Sequence, residues 1–80
     1  MTYREHIWYA VATRPGDEKK VKRRLEQRKQ VLNAEDCIFR IEVPPTIRGY
    51  VLVETLSGER AWHIARNTPG VSGIEQIDLG

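Results

Sequence analysis

Apolar and polar residues alternate along Ile47–Thr55, Ile-Arg-Gly-Tyr-Val-Leu-Val-Glu-Thr, and the rest of the chain is organised around that stretch. Side chains alternate across a strand, so Val51 and Val53 point one way while Tyr50, Leu52 and Glu54 point the other. The first row suits a dry core. The second begins with a large aromatic and an aliphatic and ends in a charge, which suits a face left open.

The remaining pattern supplies partners for this strand. Ile7–Thr13 predicts a first strand, with Ile7, Tyr9 and Val11 on one row and Trp8, Ala10 and Ala12 on the other. Arg14-Pro15-Gly16 breaks it. Asp17 then stands at a helix N-cap with Glu18 in the favourable first turn. Val21, Leu25, Arg28, Val31 and Leu32 draw a narrow inner stripe on an otherwise charged helix, which Asn33–Asp36 ends. Cys37–Val43 alternates as a second strand, with Cys37, Phe39, Ile41 and Val43 on its dry row and Ile38, Arg40 and Glu42 on a wetter one. Pro44-Pro45-Thr46 cannot extend a ladder and turns the chain into the organising strand. Leu56-Ser57-Gly58 is a loop, and Ser57 or Gly58 opens a short helix, Glu59–Arg66, whose apolar side is Ala61, Ile64 and Ala65. Asn67-Thr68-Pro69-Gly70 stops it, and Val71–Ile77 gives a fourth strand.

The order β-α-β-β-α-β, with short connections and right-handed crossovers, predicts an α+β domain of ferredoxin-like architecture. Four antiparallel strands form one sheet, with two helices on one face. The opposite face is then open and carries Trp8, Ala10, Ala12, Ile38, Arg40, Tyr50 and Leu52. Small alanines between bulky Trp8 and Tyr50 leave a concavity, and an exposed apolar dish of this kind marks a partner site.

Composition narrows the class. Eighty residues make one small domain, read as spanning positions 1–80. No apolar run is long enough for a bilayer and no charged-then-apolar leader precedes the first strand, so the expectation is a soluble, cytoplasmic protein without membrane contact. The single cysteine, Cys37, cannot close an internal disulfide and fits a reducing compartment. A net charge of +2 does not argue for nucleic acid by itself. Its distribution is uneven: Pro15–Leu32 holds seven basic and three acidic residues, leaving +4 there and −2 on the remainder. The basic helix reads either as a solvated face or as a track along phosphates, where affinity would depend on salt.

Catalysis finds little support. His6 and His63 lack carboxylate or cysteine neighbours at any ligand spacing, and no glycine-rich phosphate loop is present. Cys37 begins a strand on its dry row, where an inert thiol is expected. The chain is therefore read as a non-enzyme with no catalytic residues, metal or cofactor. Arg48-Gly49-Tyr50 begins like the signature of RNA-binding sheets, but the positions wanting a small residue and two further aromatics hold Val51, Leu52 and Thr55. A pocket for a protein side chain fits the open face better. An RNA-binding domain using that face is the alternative, and a packing surface for a neighbouring domain is the plain reading.

Several separate motifs, in order, resemble the amino-terminal (NGN) domain of the NusG family of transcription elongation factors. They are Trp8-Tyr9-Ala10-Val11, Val43-Pro44, Gly49-Tyr50-Val51-Leu52-Val53-Glu54, Ala61-Trp62-His63 and Arg66-Asn67-Thr68-Pro69-Gly70-Val71-Ser72-Gly73. The resemblance implies the same fold and a domain that binds the clamp coiled coil of RNA polymerase, bridging the DNA channel and modulating processivity, pausing or antitermination. The family's contact is an apolar depression on the open sheet face; the matching positions are Ala10, Ile47, Tyr50 and Leu52, with Trp8 as neighbour. Ile47 stands where bacterial relatives often have phenylalanine. In some bacterial members the Asn-Thr pair touches the non-template DNA strand. Asn67 and Thr68 match it, with Arg14 as an added phosphate contact. Both could equally cap and end the second helix. The short Pro45–Arg48 connection resembles archaeal and eukaryotic homologues, which adds a small zinc-protein partner of archaeal type along a sheet edge. Family members usually carry a carboxy-terminal KOW domain. None is expected within this chain, so ribosome or termination-factor coupling is not carried over.

Overall fold

In the computed structural model, residues 6–78 are described; the ends of the expected 1–80 domain lie outside them. The chain runs β1 (Ile7–Thr13), α1 (Glu18–Val31), β2 (Ile38–Glu42), β3 (Tyr50–Thr55), α2 (Gly58–Arg66) and β4 (Val71–Ile77). The strands form one sheet in the order β2-β3-β1-β4, with every neighbouring pair antiparallel. This is the ferredoxin-like arrangement expected from the pattern.

One face of the sheet is dry because both helices lie against it. Val11, Val51, Val53, Ile38 and Ile41 from the strands meet Val21 and Leu25 of α1 and Ala61, Ile64 and Ala65 of α2 in one buried cluster. The central pair is in register, with Val11 opposite Val51 and Tyr9 opposite Val53, so alternation in β1 and β3 carries both rows to a common side. Tyr9 lies under the start of α2, where a Cβ on Gly58 would stand 2.9 Å from its Cζ atom. Only glycine fits so close to the ring.

Three expectations need correction. The organising strand begins at Tyr50, because Gly49 (φ +85°) turns the chain and leaves Ile47 in the preceding hairpin loop. In β2 two of the predicted positions are exchanged, while Cys37, Ile41 and Val43 face the core and Arg40 and Glu42 face outward as expected. A register shift between Ile38 and Arg40 turns Ile38 into the core, 1% exposed, and Phe39 outward, 41% exposed. An extra residue on one strand of a ladder re-aims the side chains that follow, which strict alternation does not anticipate. At the end of α1, Val31 and Leu32 do not complete the inner stripe; Val31 is 77% exposed.

The basic helix is only partly a solvated face. Arg28 lies on the inner side as its spacing predicts, and its Nε donates to the Ile64 carbonyl at 3.0 Å while an Nη reaches that of His63 at 3.4 Å. Arg24 donates to the Pro69 carbonyl at 2.8 Å. The last carbonyls of a helix lack partners within it, and two arginines of α1 supply them for α2 and its exit. At the other end of α2, the Ser57 hydroxyl accepts the Arg60 N–H at 3.3 Å, as an N-cap should.

Candidate docking face and nucleic-acid corner

The face away from the helices is built from cross-strand rungs. Residues directly opposite one another in a ladder point to the same side. One rung runs Arg40, Glu54, Trp8, Ile77 across the sheet; the next runs Glu42, Leu52, Ala10, Glu75; the third runs Tyr50, Ala12, Gly73. The floor is thus Ala10, Ala12 and Gly73, and its walls are Trp8, Leu52 and Tyr50. Of the expected contact residues, Trp8, Ala10, Tyr50 and Leu52 share this face. Ile47, 54% exposed, projects from the hairpin loop that leads into Tyr50. Ile38, expected on the same surface, is absent from it for the reason given above.

One end of the face carries an ion-pair cluster. Glu54 bridges Arg40 Nε at 3.4 Å and His6 Nδ1 at 2.9 Å, and His6 stacks on Phe39 with ring centroids 4.4 Å apart. Glu42 and Glu75 are exposed at the two margins of the middle rung. β4's share of the face, Gly73, Glu75 and Ile77, was missed in the sequence because no row was assigned to that strand. The register of a strand pair is the signal that finds it.

The hairpin that carries Ile47 is tied to the helix side by Glu18. Its two carboxylate oxygens accept the Gly49 N–H at 2.7 Å and the Gly16 N–H at 2.9 Å. The Gly49 hydrogen bond, with further backbone donors and the Arg48 charge, holds the Glu18 carboxyl below its ordinary pKa against a smaller opposing effect of burial. Asp17 occupies the N-cap position but makes no capping hydrogen bond with its side chain.

The second candidate region follows α2. Asn67 is exposed, whereas Thr68 is 4% exposed and its hydroxyl donates to the Ile64 carbonyl at 2.5 Å. Thr68 therefore ends the helix, as one of the two readings of the pair held. Arg14 is exposed and lines a shallow groove with Thr13, Asp17, Gly70, Val71 and Ser72. Beside Asn67, the Arg66 guanidinium lies 4.4 Å from the centroid of the half-exposed Trp62 ring. Trp62 and Arg66 had no site role in the sequence reading, although their i, i+4 spacing on one helix face signals such a contact.

Among the described residues, no group of three or more His, Cys, Asp or Glu is placed to hold a metal ion. No helix of the described residues is long and apolar enough to cross a membrane.

The class of protein the fold defines is an α+β domain of ferredoxin-like topology with one sheet face left uncovered by its helices. The sequence of residues 6–77 matches the family described as "Transcription termination factor nusG". The chain is 40% identical over 84 aligned residues to the transcription termination/antitermination protein NusG of Staphylococcus aureus, covering 84% of this chain and 46% of that protein. The structure is similar to the N-terminal domain of NusG (NGN) from Methanocaldococcus jannaschii, with a TM-score of 0.74, 27% identity and coverage of 90% of each chain. It is also similar to a chain of an Spt4 heterodimer complex from Methanococcus jannaschii, with a TM-score of 0.78, 27% identity and coverage of 94% of this chain and 89% of that one. The chain belongs to the NusG family, and it is an NGN domain of that family of transcription factors. It spans less than half the length of the curated relatives it matches.

Proposed function

We propose that this domain binds the clamp coiled coil of RNA polymerase through its open sheet face and so modulates transcript elongation, pausing or antitermination. The observation that carries the reading is the Ala10–Leu52 rung. It sets an alanine floor beside an aliphatic wall, with Tyr50 and Trp8 on the rungs at either side. Such a depression accepts an apolar side chain from a helical tip, and Ile47 adds a contact from the hairpin. The RNA-binding alternative is weakened by the same face, because its arginine, Arg40, is already paired with Glu54 and Glu42, and Glu75 adds a further negative charge toward a phosphate backbone.

Asn67 is the residue offered to the non-template strand, with Arg14 supplying phosphate contact and the Trp62–Arg66 pair standing at the same helix end. Thr68 is turned inward onto the Ile64 carbonyl. A small zinc-protein partner of archaeal type is proposed along the edge of β4, which is seven residues long and paired on one side only among the described residues. Absence of catalysis and a cytoplasmic location complete the reading.

The test is an elongation assay with a cognate polymerase, using intact enzyme and enzyme lacking the clamp coiled-coil tip. The domain should alter pausing or elongation rate on the first and have no effect on the second. An equal effect on both enzymes would refute the docking reading. Photo-crosslinking from Asn67 should label the non-template strand, and a crosslink to RNA alone would favour the alternative.

A further inference from the structure

Gly49 sits one residue ahead of Tyr50, at the end of the hairpin loop that carries Ile47. It is buried, and its φ of +85° lies in the left-handed region. A Cβ there would stand 3.3 Å from the Thr13 carbonyl oxygen and 3.7 Å from Pro15 Cγ, so the hairpin is pressed against the turn that follows β1. Both polar groups of the Gly49 backbone are held. Its carbonyl accepts the Thr13 N–H at 2.9 Å, and its N–H donates to Glu18 Oε2 at 2.7 Å. The other Glu18 oxygen accepts the Gly16 N–H at 2.9 Å. One carboxylate thus joins the β1–α1 turn to the β2–β3 hairpin, two of the loops at the same end of the open face.

Glu18 lies at the start of α1, on the helix side of the sheet, and does not itself line the depression. Its bonds act on the segment between Ile47 and Tyr50, which leads into the docking face from outside a strand. A glycine in the left-handed region is a natural hinge, and a hinge left free would let Ile47 swing relative to Tyr50. We infer that Glu18 is a positioning residue of the docking face, fixing the hairpin so that Ile47 and Tyr50 meet the partner together. This rests on the docking reading above. Binding then depends on the fraction of molecules with the hairpin in place, since apparent affinity scales with the population of the competent state.

The test pairs a binding measurement with a local one. The domain and its Glu18→Ala and Glu18→Gln variants are titrated with the isolated clamp coiled coil of a cognate polymerase, and the Gly49 and Tyr50 amides are followed by NMR. Glu18→Ala should weaken binding by ~3–10-fold, as a partly populated hairpin requires. Glu18→Gln keeps one acceptor oxygen and should fall between it and the wild type. Only the Glu18 variants should shift the Gly49 amide proton, and Glu26→Ala, on the exposed side of the same helix, should change neither readout. If Glu18→Ala proves unfolded, the glutamine variant carries the comparison. Unchanged affinity beside a shifted Gly49 amide would overturn the positioning role while leaving the docking reading intact. Failure of the wild type to bind the coil would overturn the docking reading itself, with the Gly49 amide still reporting whether the tether exists.

Discussion

Replacing Thr68 by valine removes one hydroxyl and changes little else, and its cost follows from who else serves the Ile64 carbonyl. That oxygen accepts from the Thr68 hydroxyl at 2.5 Å and from Arg28 Nε at 3.0 Å. With either donor removed the other remains, so no acceptor is orphaned. Thr68→Val should then cost only the net worth of one hydrogen bond, ~1 kcal/mol, and Arg28→Met, which also gives up the 3.4 Å contact to the His63 carbonyl, ~1–2 kcal/mol. Removing both leaves the carbonyl without a side-chain donor at the end of a packed helix, where an unsatisfied group costs ~1–3 kcal/mol more. The double variant should therefore be less stable than the sum of its parts by ~1–3 kcal/mol, outside the additivity of independent sites. Urea unfolding followed by tryptophan fluorescence reads this directly, with an unchanged m-value securing the comparison. In a domain of this size ~1 kcal/mol also moves the midpoint of thermal unfolding by ~4–8 °C. A neutral Thr68→Val together with additive costs would refute the idea that Thr68 serves the fold, and would return it to the nucleic-acid surface with Asn67.

Other consequences are as concrete. Ile38→Ala should cost ~2–5 kcal/mol as a buried truncation, whereas Phe39→Ala should change stability little; the opposite ranking in denaturation would mean the β2 register is wrong. Gly58→Ala would gain up to about 1 kcal/mol from helix propensity alone, but the overlap with Tyr9 should reverse that by ~1–3 kcal/mol. In a Tyr9→Leu background the substitution should become tolerated, and a stabilising Gly58→Ala in the wild type would contradict the contact. Folding lowers the Glu18 pKa, so its contribution is full above its ordinary value of 4.5 and is lost as pH falls through the lower folded value. Glu18→Gln should accordingly flatten the acid limb of the stability profile below that pH and leave its slope near neutrality unchanged.

Much of the fold is legible in the alternation of β1 and β3, because both strands keep strict period-two patterning with one row apolar and buried. Those same rows disclosed Ala10, Leu52 and Tyr50 as a shared open face. β2 misled because its bulge carries no glycine or proline to announce it, and Ile38-Phe39 are both apolar enough to satisfy either row. The contributions of Arg24, Arg28 and Glu18 were hidden for a different reason. Each acts on a backbone group at least thirty positions away, at 2.7–3.0 Å, and such pairings exist only once the topology has closed. Thr68 was readable both ways from sequence, since a short polar side chain after a helix serves equally as a cap or a contact. Burial separates it from Asn67.

The measurement closest to the central claim is titration of the domain with the isolated clamp coiled coil of a cognate polymerase, comparing wild type with Tyr50→Ala and Leu52→Ala. Both side chains lie on the open face, so the variants should remain folded and lose ~1–3 kcal/mol of binding, the range for central interface anchors. Wild-type affinity in folded Tyr50→Ala and Leu52→Ala variants would remove the open face from the mechanism.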